Sequence, residues 1–386
     1  MRKDTLLGHA GRPRAGRGPV NPSVQRASTI LFENVAQFEA AQRARYECDR
    51  LYYGTFGTET TFAFTSAVAA LENGYGAIAV SSGLAAIVAT LQAFVHSGEH
   101  VLVPDSVYYP VRLACDGPLR DLGIQTTYYD PCVGAAIESQ IRPNTKLVYL
   151  ESPGSITFEV QDVPAIVAVA KARGIPTAID NTWATGYYFS ALAHGVDVSI
   201  HAATKYIGGH SDVVLGAIVT TESHFEVVRR TASTLGYSAS PDDCWLALRG
   251  LRTLGVRLRA HAERALTVAV YLQGRAEVDA VLYPALSGTA GHALWKRDFT
   301  GATGLFSFVF KRAVSEQSVI ALIERLRLFS IGASWGGYES LALLVRPGAF
   351  RTLDAWKDRG PMVRLSVGLE DPADLVEDLR TAFGSL

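Results

Sequence analysis

The chain has 386 residues, which exceeds the size at which one hydrophobic core usually stops growing, so two domains with connecting segments are expected. Its 36 Lys and Arg residues balance 37 Asp and Glu residues, and the net charge of −1 provides no field that would capture nucleic acid or an anionic membrane. No apolar run reaches the roughly 18 residues that a transmembrane helix needs. These properties favour a small molecule as the partner.

The first 58 residues are rich in Gly, Pro and Arg, and a short amphipathic stretch at 35–45 is their main periodic feature. The start of the sequence lacks the apolar core of a signal peptide. The four cysteines show neither a CxxC pair nor the spacing of metal ligands, which is typical of reduced thiols. We therefore predict a cytoplasmic protein in which residues 1–58 form an arm.

From about residue 75 onwards, short apolar runs alternate with stretches of helical spacing. The predicted strands are Gly76–Val80, His100–Val103, Gln125–Tyr129, Leu147–Leu150, Thr177–Ile179 and Val198–Ile200. Helical spacing appears at Leu84–Val95, Val111–Leu122 and Ala165–Ala172. This alternation predicts an α/β fold with a mainly parallel sheet covered by helices.

A stretch rich in Leu, Ala and Arg follows at 241–273, and after it the pattern changes to mixed short strands and helices. We place a domain boundary in this stretch. The predicted organisation is an arm at 1–58, an α/β domain at 59–251 that carries the ligand site, and a smaller C-terminal α/β domain at 252–386.

The main chemical signal is an acid that ends one predicted strand and a lysine that follows the next, Asp180 and Lys205. A carboxylate at the carboxyl end of a parallel strand points into the crevice where α/β sheets bind ligands. There it could keep a pyridinium nitrogen protonated, while a partly desolvated lysine supplies a neutral amine for a Schiff base. Taken alone, Asp180 could equally cap a turn and Lys205 could lie on the surface.

A second signal is the run Ser81–Ala86, which follows a predicted strand and opens a helix. Free N–H groups and the helix dipole receive phosphate at such a turn. The hydroxyl of Thr204, next to Lys205, could bind the same phosphate.

Together these segments resemble the Cys/Met-metabolism family of pyridoxal-phosphate enzymes, and the resemblance runs through nearly the whole chain. Besides the Asp180 and Lys205 segments it is carried by Val24–Ser28, Glu151–Ser155, Arg249–Gly255, Trp295–Phe299 and Ser334–Ser340. The resemblance implies a type I pyridoxal-phosphate fold with a seven-stranded sheet, and a homotetramer built as a dimer of dimers. It also implies α,β-elimination of a sulfur amino acid, with cystathionine converted to homocysteine, pyruvate and ammonia.

The resemblance also implies a role for each residue of the site. Lys205 would bind the cofactor covalently and act as base, and Asp180 would hold the pyridinium nitrogen. The remaining implied residues are Tyr108 against the ring, Gly83, Leu84 and Thr204 at the phosphate, Arg364, Ser334 and Trp335 at the substrate carboxylate, and Tyr53, which would reach a neighbouring subunit's phosphate and substrate amine.

The chain departs from the family pattern two residues after Tyr53, where Thr55 stands in place of the usual phosphate-binding arginine. Losing a charge-assisted hydrogen bond of this kind costs roughly 1.5 to 3 kcal/mol. Arg50 or Arg45 could compensate, or the cofactor could bind more weakly.

Several other readings remain open. Cysteine desulfhydration, cleavage of other cysteine S-conjugates, γ-elimination and γ-replacement use the same scaffold. A non-catalytic binding or regulatory protein of this fold is a more distant alternative. A dehydrogenase is disfavoured because no GxGxxG follows the first strand, and a metal site at His201, His210 and Asp212 lacks further ligands with suitable spacing.

Overall fold

The computed structural model describes residues 1–13, 18–353 and 356–384. Part of the Gly/Pro/Arg-rich stretch, residues 14–17, lies outside the described residues. The helices are α1 Lys3–His9, α2 Val35–Ala44, α3 Glu59–Glu72, α4 Gly83–Phe94, α5 Tyr109–Ala114, α6 Val163–Ala172, α7 Thr185–Tyr188, α8 Glu222–Thr234, α9 Pro241–Leu251, α10 Leu254–Gln273, α11 His292–Asp298, α12 Glu316–Arg325 and α13 Pro372–Phe383.

A seven-stranded sheet forms the centre of the larger part of the chain. Its strands are β1 Gly76–Val80, β2 His100–Pro104, β3 Gln125–Tyr129, β4 Thr145–Glu151, β5 Thr177–Asp180, β6 Val198–Ala202 and β7 Gly216–Thr220, in the spatial order β1-β7-β6-β5-β4-β2-β3. Only β7 runs opposite to the others, pairing antiparallel with both β1 and β6. All six predicted strands form, and the predicted mainly parallel sheet is confirmed. The seven strands that the resemblance implies are present, and the position of the seventh, β7, was not among the strands predicted from the pattern.

Helices cover both faces of this sheet, and the side chains of β4 show how its two faces are used. Leu147 and Tyr149 pack into the core beneath α4, whereas Val148 and Leu150 pack into the core on the opposite face. Because both faces are buried, the strands are continuous apolar runs without alternation, as is usual for parallel sheets. Because β4, β5 and β6 run in the same direction, their carboxyl ends meet at one edge of the sheet. Polar side chains lie outside the core at this edge.

The C-terminal part of the chain forms a second sheet of four antiparallel strands, in the order β10-β11-β9-β8. The strands are β8 Val278–Leu282, β9 Leu305–Phe310, β10 Leu341–Val345 and β11 Met362–Ser366. Helices α10, α12 and α13 contact one another or this sheet. The smaller C-terminal α/β unit predicted from the mixed pattern is thus present.

One predicted helix is wrong in its extent. Helical spacing at 111–122 suggested a continuous helix, but α5 ends at Ala114 and a wider turn follows at Cys115–Leu119. Gly117 leaves the helical region there (φ −113°, ψ −106°), and Pro118 lacks the N–H that a regular helix needs. The Gly-Pro pair therefore interrupts the helix.

The N-terminal residues divide into a helix with one buried residue and an exposed stretch. Leu7 of α1 is buried in the main core, and the Lys3 amine donates to the carbonyl oxygens of Gly186 and Tyr187 at 2.6 and 2.8 Å. The amphipathic stretch at 35–45 forms α2, which has no buried residue. Among the described residues, none of the helices is long and apolar enough to span a bilayer.

Candidate active site

A cavity of about 230 Å³ opens where the carboxyl ends of β4, β5 and β6 face the small sheet. The large sheet contributes Glu151, Asp180 and Ala202 to its wall, and the small sheet contributes Leu305 and Arg364. Open α/β sheets bind their ligands at this edge, outside the carboxyl ends of the parallel strands. Of the residues singled out from the sequence, Gly83, Leu84, Tyr108, Asp180, Thr204, Lys205, Trp335 and Arg364 line this one cavity.

Lys205 projects into the cavity from the turn that follows β6. Its amine Nζ donates a hydrogen bond to Ser334 Oγ at 2.5 Å and lies 5.4 Å from the centre of the Trp335 ring. Burial, with a smaller contribution from the nearby Arg364 cation, lowers the pKa of Lys205 from 10.5 to about 8. At neutral pH this amine therefore has a far larger neutral fraction than an ordinary lysine.

Asp180 is the last residue of β5 and is the Cα partner of Glu151 at the end of β4. Its Oδ1 accepts a hydrogen bond from the Thr182 N–H at 2.9 Å. Burial raises the pKa of Asp180, and the positive charge of Lys205 opposes that rise. A cation bound at this end of the cavity would stabilise the carboxylate further.

The first turn of α4 supplies backbone N–H groups to the same cavity. Ser82 caps this helix by accepting from the Ala85 N–H at 3.1 Å, and the first intrahelical bond runs from the Ala86 N–H to the Ser82 oxygen. The N–H groups of Gly83 and Leu84 precede that bond, so the helix itself does not use them. A Cβ at Gly83 would stand 2.5 Å from Ala202 Cβ, so only glycine lets the helix start this close to β6.

The small sheet places a second cation opposite Lys205. Arg364 lies on β11, and its Nη2 donates to the Ser334 carbonyl at 3.0 Å. Burial lowers the pKa of Arg364. Ser334 has a φ of +80°, and the following Trp335 packs its ring 5.3 Å from that of Tyr206. This loop therefore connects Arg364 to Lys205 through one serine.

Comparison with known proteins decides the family. The model of the Cys/Met metabolism PLP-dependent enzymes matches residues 4–384. The chain belongs to this family. It is 47% identical to a putative cystathionine beta-lyase of Rhizobium johnstonii, over 99% of the chain and 96% of that protein, and 44% identical to cystathionine beta-lyase MetC of Escherichia coli, over 99% and 98%. The crystal structure of cystathionine gamma-lyase from Lactobacillus plantarum superposes with a TM-score of 0.90 at 30% identity, covering 100% of the chain and 99% of that structure.

The cofactor of the Cys/Met metabolism family is pyridoxal phosphate, and the cavity residues fit it. The close approach of α4 at Gly83 forms a cradle of N–H groups that would hold the phosphate. The buried carboxyl of Asp180 would hold the pyridine nitrogen, and the amine of Lys205 would bind the aldehyde carbon. Tyr108, which lines the cavity with 42% of its side chain exposed, would stack on the ring.

Two predicted residues of this family site have other contacts in the structure. The Thr204 hydroxyl donates to the Leu215 carbonyl at 3.2 Å and accepts from the Leu215 N–H at 3.0 Å, so its single proton points away from the cavity. Tyr53 lies outside the cavity of its own chain, where its backbone forms a β-bridge with Thr29 and the residue is 44% exposed. Their roles at the phosphate remain predictions.

One residue of the site was not singled out from the sequence. Glu151 Oε2 accepts the Tyr108 N–H at 2.8 Å, and both residues line the cavity. Burial and the neighbouring Asp180 raise the pKa of Glu151 well above its usual range. The same signal that identified Asp180, an acid at the carboxyl end of a parallel strand, could have identified it.

The alternative metal site is not supported by the contacts of His201. Its Nε2 lies 2.8 Å from Glu72 Oε1, an oxygen that also accepts from Ser199 Oγ at 2.7 Å and Asn181 Nδ2 at 2.8 Å. Over the described ranges of the chain, no group of three His, Cys, Asp or Glu side chains is placed to hold a metal ion. His201 belongs instead to a buried polar network beneath the sheet.

The lowered pKa of Lys205 predicts how the cofactor-free protein loads. Only the neutral amine of a lysine is a nucleophile, so the rate of pyridoxal phosphate capture should rise with pH up to about 8 and level off above it. Absorbance of the bound cofactor at a series of pH values measures this rate. Arg364→Met removes a cation that helps to lower the pKa, so it should move the inflection to higher pH. A wild-type inflection near 10.5, the ordinary lysine value, would contradict the assignment.

Proposed function

We propose that the protein is a pyridoxal-phosphate-dependent carbon–sulfur β-lyase that converts cystathionine and water to homocysteine, pyruvate and ammonia. The observation that carries this proposal is the placement of three groups in one cavity: the Lys205 amine, the Asp180 carboxyl and the Arg364 guanidinium. They are the groups needed to move a proton, hold an electron-accepting ring and bind an amino-acid carboxylate.

Each of these residues has a distinct task. Pyridoxal phosphate, when bound, supplies the electron sink that allows an amino acid to lose its α proton. Lys205 is the base for that proton, since its pKa of about 8 suits proton transfer near neutrality, and it can return a proton to the departing sulfur. Arg364 would bind the substrate carboxylate through two parallel N–H bonds. Asp180 maintains a negative charge at the place in the cavity where the pyridine nitrogen would lie.

The choice of β- over γ-cleavage depends on the relatives. The two curated relatives named for the β-lyase reaction are 47% and 44% identical to the chain, whereas the γ-lyase of known structure is 30% identical. The resemblance of the segment Ser152–Ser155 and of Trp335 to the β-lyases favours the same reaction. A γ-lyase, a γ-synthase or a cysteine S-conjugate lyase is the second candidate, because the overall fold is shared with that γ-lyase.

A product assay separates these reactions. The purified protein, supplied with pyridoxal phosphate, is incubated with cystathionine, cystine and other cysteine S-conjugates, and keto acid and thiol are quantified separately. We expect pyruvate and homocysteine from cystathionine. Formation of 2-oxobutyrate and cysteine would identify γ-cleavage, and pyruvate from the conjugates alone would identify a different sulfur substrate. No keto acid from any of them would reject the lyase proposal.

The missing arginine at position 55 predicts weak retention of the cofactor. The cations that line the cavity are Lys205 and Arg364. The two arginines of the arm that could substitute have other partners: Arg50 pairs with Glu47 at 2.9 Å, and Arg45 donates to the Gln42 carbonyl at 2.5 Å. Thr55→Arg should therefore tighten pyridoxal phosphate binding by about 10- to 100-fold, through one charge-assisted hydrogen bond to phosphate. Equilibrium dialysis measures this dissociation constant.

Thr55→Gln is the matched control, since it adds length and a donor without charge and should change the dissociation constant much less. If Thr55→Arg binds the cofactor no more tightly than wild type, the account of the altered phosphate contact is wrong.

We also propose a homotetramer, built as a dimer of dimers, in the cytoplasm. The arm exposes large apolar side chains that a second copy would cover: Leu31 is 89% exposed, Val35 71% and Phe38 41%. In such a dimer Tyr53 would reach the neighbouring cavity. The four cysteines are free thiols, which fits a reducing compartment. The proposed division is an arm at 1–58, a cofactor-binding domain at 59–251 and a C-terminal domain at 252–386.

A further inference from the structure

A buried arginine connects the small sheet to loops of the large sheet that form part of the cavity wall. Arg351 lies in the segment 347–353 between β10 and β11, which we call the clasp segment. Its Nε donates to Asp105 Oδ2 at 2.7 Å, and only 3% of the Arg351 side chain and none of the Asp105 side chain is exposed. The two residues are 246 positions apart in the sequence. The ion pair therefore joins the two sheets through the core.

The other end of the guanidinium reaches a second loop of the large sheet. Arg351 Nη1 donates to Thr157 Oγ1 at 2.8 Å, and Nη2 donates to Glu159 Oε1 at 3.1 Å. Trp356 Nε1 donates to the same glutamate oxygen at 3.1 Å. One planar cation thus bridges two separate loops, a geometry that suits arginine and that lysine cannot reproduce.

Both loops carry parts of the cavity wall. Asp105 stands three residues before Tyr108, and the neighbouring Tyr109 ring lies 4.9 Å from the Phe350 ring of the clasp segment. Thr157 follows the cavity-lining residues 153–156, and the Ser155 N–H donates to the Ser106 carbonyl at 2.9 Å. The position of the Tyr108 loop is therefore fixed from the side of the small sheet.

Arg351 belongs to a cluster of two arginines and two acids, Arg112, Arg351, Asp105 and Glu159. The Asp105 carboxylate is already paired with Arg112, whose Nη2 donates to Oδ1 at 2.6 Å. The same carboxylate accepts from the Thr352 N–H at 2.9 Å and from Thr352 Oγ1 at 2.5 Å. Arg351 pairs with Glu159 as well, so the two arginines balance the two acids. What Arg351 contributes beyond its charge is the link between the clasp segment and the two loops.

We propose that Arg351 is a positioning residue of the reaction, which sets the Tyr108 loop against the cofactor ring and keeps it in register with β11, the strand of Arg364. This inference rests on the proposed function in one respect, the assignment of Tyr108 to the ring and Arg364 to the substrate carboxylate. A displacement of catalytic groups by about 1 Å can lower turnover on the order of 10²-fold.

The test compares Arg351→Gln, Arg351→Lys and the control Arg346→Gln in the full chain loaded with pyridoxal phosphate. Arg346 forms an exposed ion pair with Glu316 at 2.8 Å and lies just before the clasp segment. Two quantities are measured, kcat and KM for the sulfur amino acid that wild type cleaves and the visible circular dichroism of the bound cofactor. The dichroism reports the asymmetry of contacts on the two faces of the ring, with Tyr108→Leu as the reference for a lost stacking partner.

Arg351→Gln should lower kcat by roughly 10- to 100-fold and shift the visible dichroism towards that of Tyr108→Leu, because the loop is released. The kcat and the dichroism of Arg351→Lys should lie between those of Arg351→Gln and wild type, since lysine keeps the Asp105 pair but loses one of the two loop contacts. Arg346→Gln should leave both quantities unchanged. Should Arg351→Gln fail to fold, Glu159→Gln weakens the same bridge at a partly exposed position and should shift both quantities in the same direction by less.

Unchanged kcat and dichroism in the folded variants, with only a lower melting temperature, would overturn the proposal and leave Arg351 a purely structural role. Failure of the proposed function has a different signature, a wild-type protein that forms no keto acid from any substrate. In that case the dichroism, which needs no substrate, still decides whether Arg351 positions the loop.

Discussion

Lys205→Ala should lower turnover on the order of 10³-fold or more, with cystathionine as substrate and pyruvate as the measured product. In the proposed function this lysine both holds the cofactor and accepts the α proton, and a positioned base alone contributes about 10²- to 10⁴-fold. The Ser334 hydroxyl, 2.5 Å from this amine in the native protein, cannot replace it as a base at neutral pH. We expect cofactor absorbance to be lost on gel filtration as well.

Lys146→Ala is the matched control, since Lys146 is exposed near the start of β4 and should be dispensable. Borohydride reduction followed by peptide mass analysis provides a second readout, and it should place the trapped cofactor on the peptide that contains Lys205. A Lys205→Ala protein with most of its activity, or a label on another lysine, would contradict the assignment.

Asp180→Asn should lower turnover by roughly 10²- to 10³-fold while the cofactor still binds through Lys205. Removing one partner of a buried ion pair is strongly unfavourable, because the remaining charge is left uncompensated. In this protein the uncompensated charge would lie on the pyridine nitrogen, which would lose its proton and with it much of its capacity to accept electrons. The pH dependence of the cofactor spectrum, compared with wild type, reports the change directly.

Glu151→Gln is the informative comparison, because Glu151 is the Cα partner of Asp180 on the neighbouring strand. Burial and the neighbouring Asp180 raise the pKa of Glu151 well above its usual range, which favours the neutral acid, and glutamine is a neutral replacement of the same shape. Its effect should be much smaller than that of Asp180→Asn. Equal losses in the two variants would mean that the negative charge is not confined to Asp180.

The residues that the sequence predicts well are those at the ends of buried strands. Asp180 and Lys205 follow apolar runs that form β5 and β6, and parallel strands bring their carboxyl ends to a common edge. Gly83 is similarly marked by its place between β1 and α4. The local sequence pattern was sufficient to predict where these residues lie, because each position is determined by the strand that precedes it.

Other features depend on contacts that no local pattern encodes. The strand β7 is an apolar run at 216–220 whose antiparallel direction follows from its pairing with β1 and β6. The ion pair of Arg351 with Asp105 joins segments 246 residues apart, so neither residue stands out alone. The hydroxyl of Thr204, whose role at the phosphate remains a prediction, bonds to the backbone of Leu215, a neighbour that only the folded chain brings close.

An experimental density map of the protein with bound pyridoxal phosphate tests the central claim most directly. We predict continuous density from Lys205 Nζ into the cofactor, with its ring nitrogen within hydrogen-bonding distance of Asp180 and its phosphate at the first turn of α4. A cofactor joined to a different lysine, or one whose ring nitrogen lies out of reach of Asp180, would contradict the account.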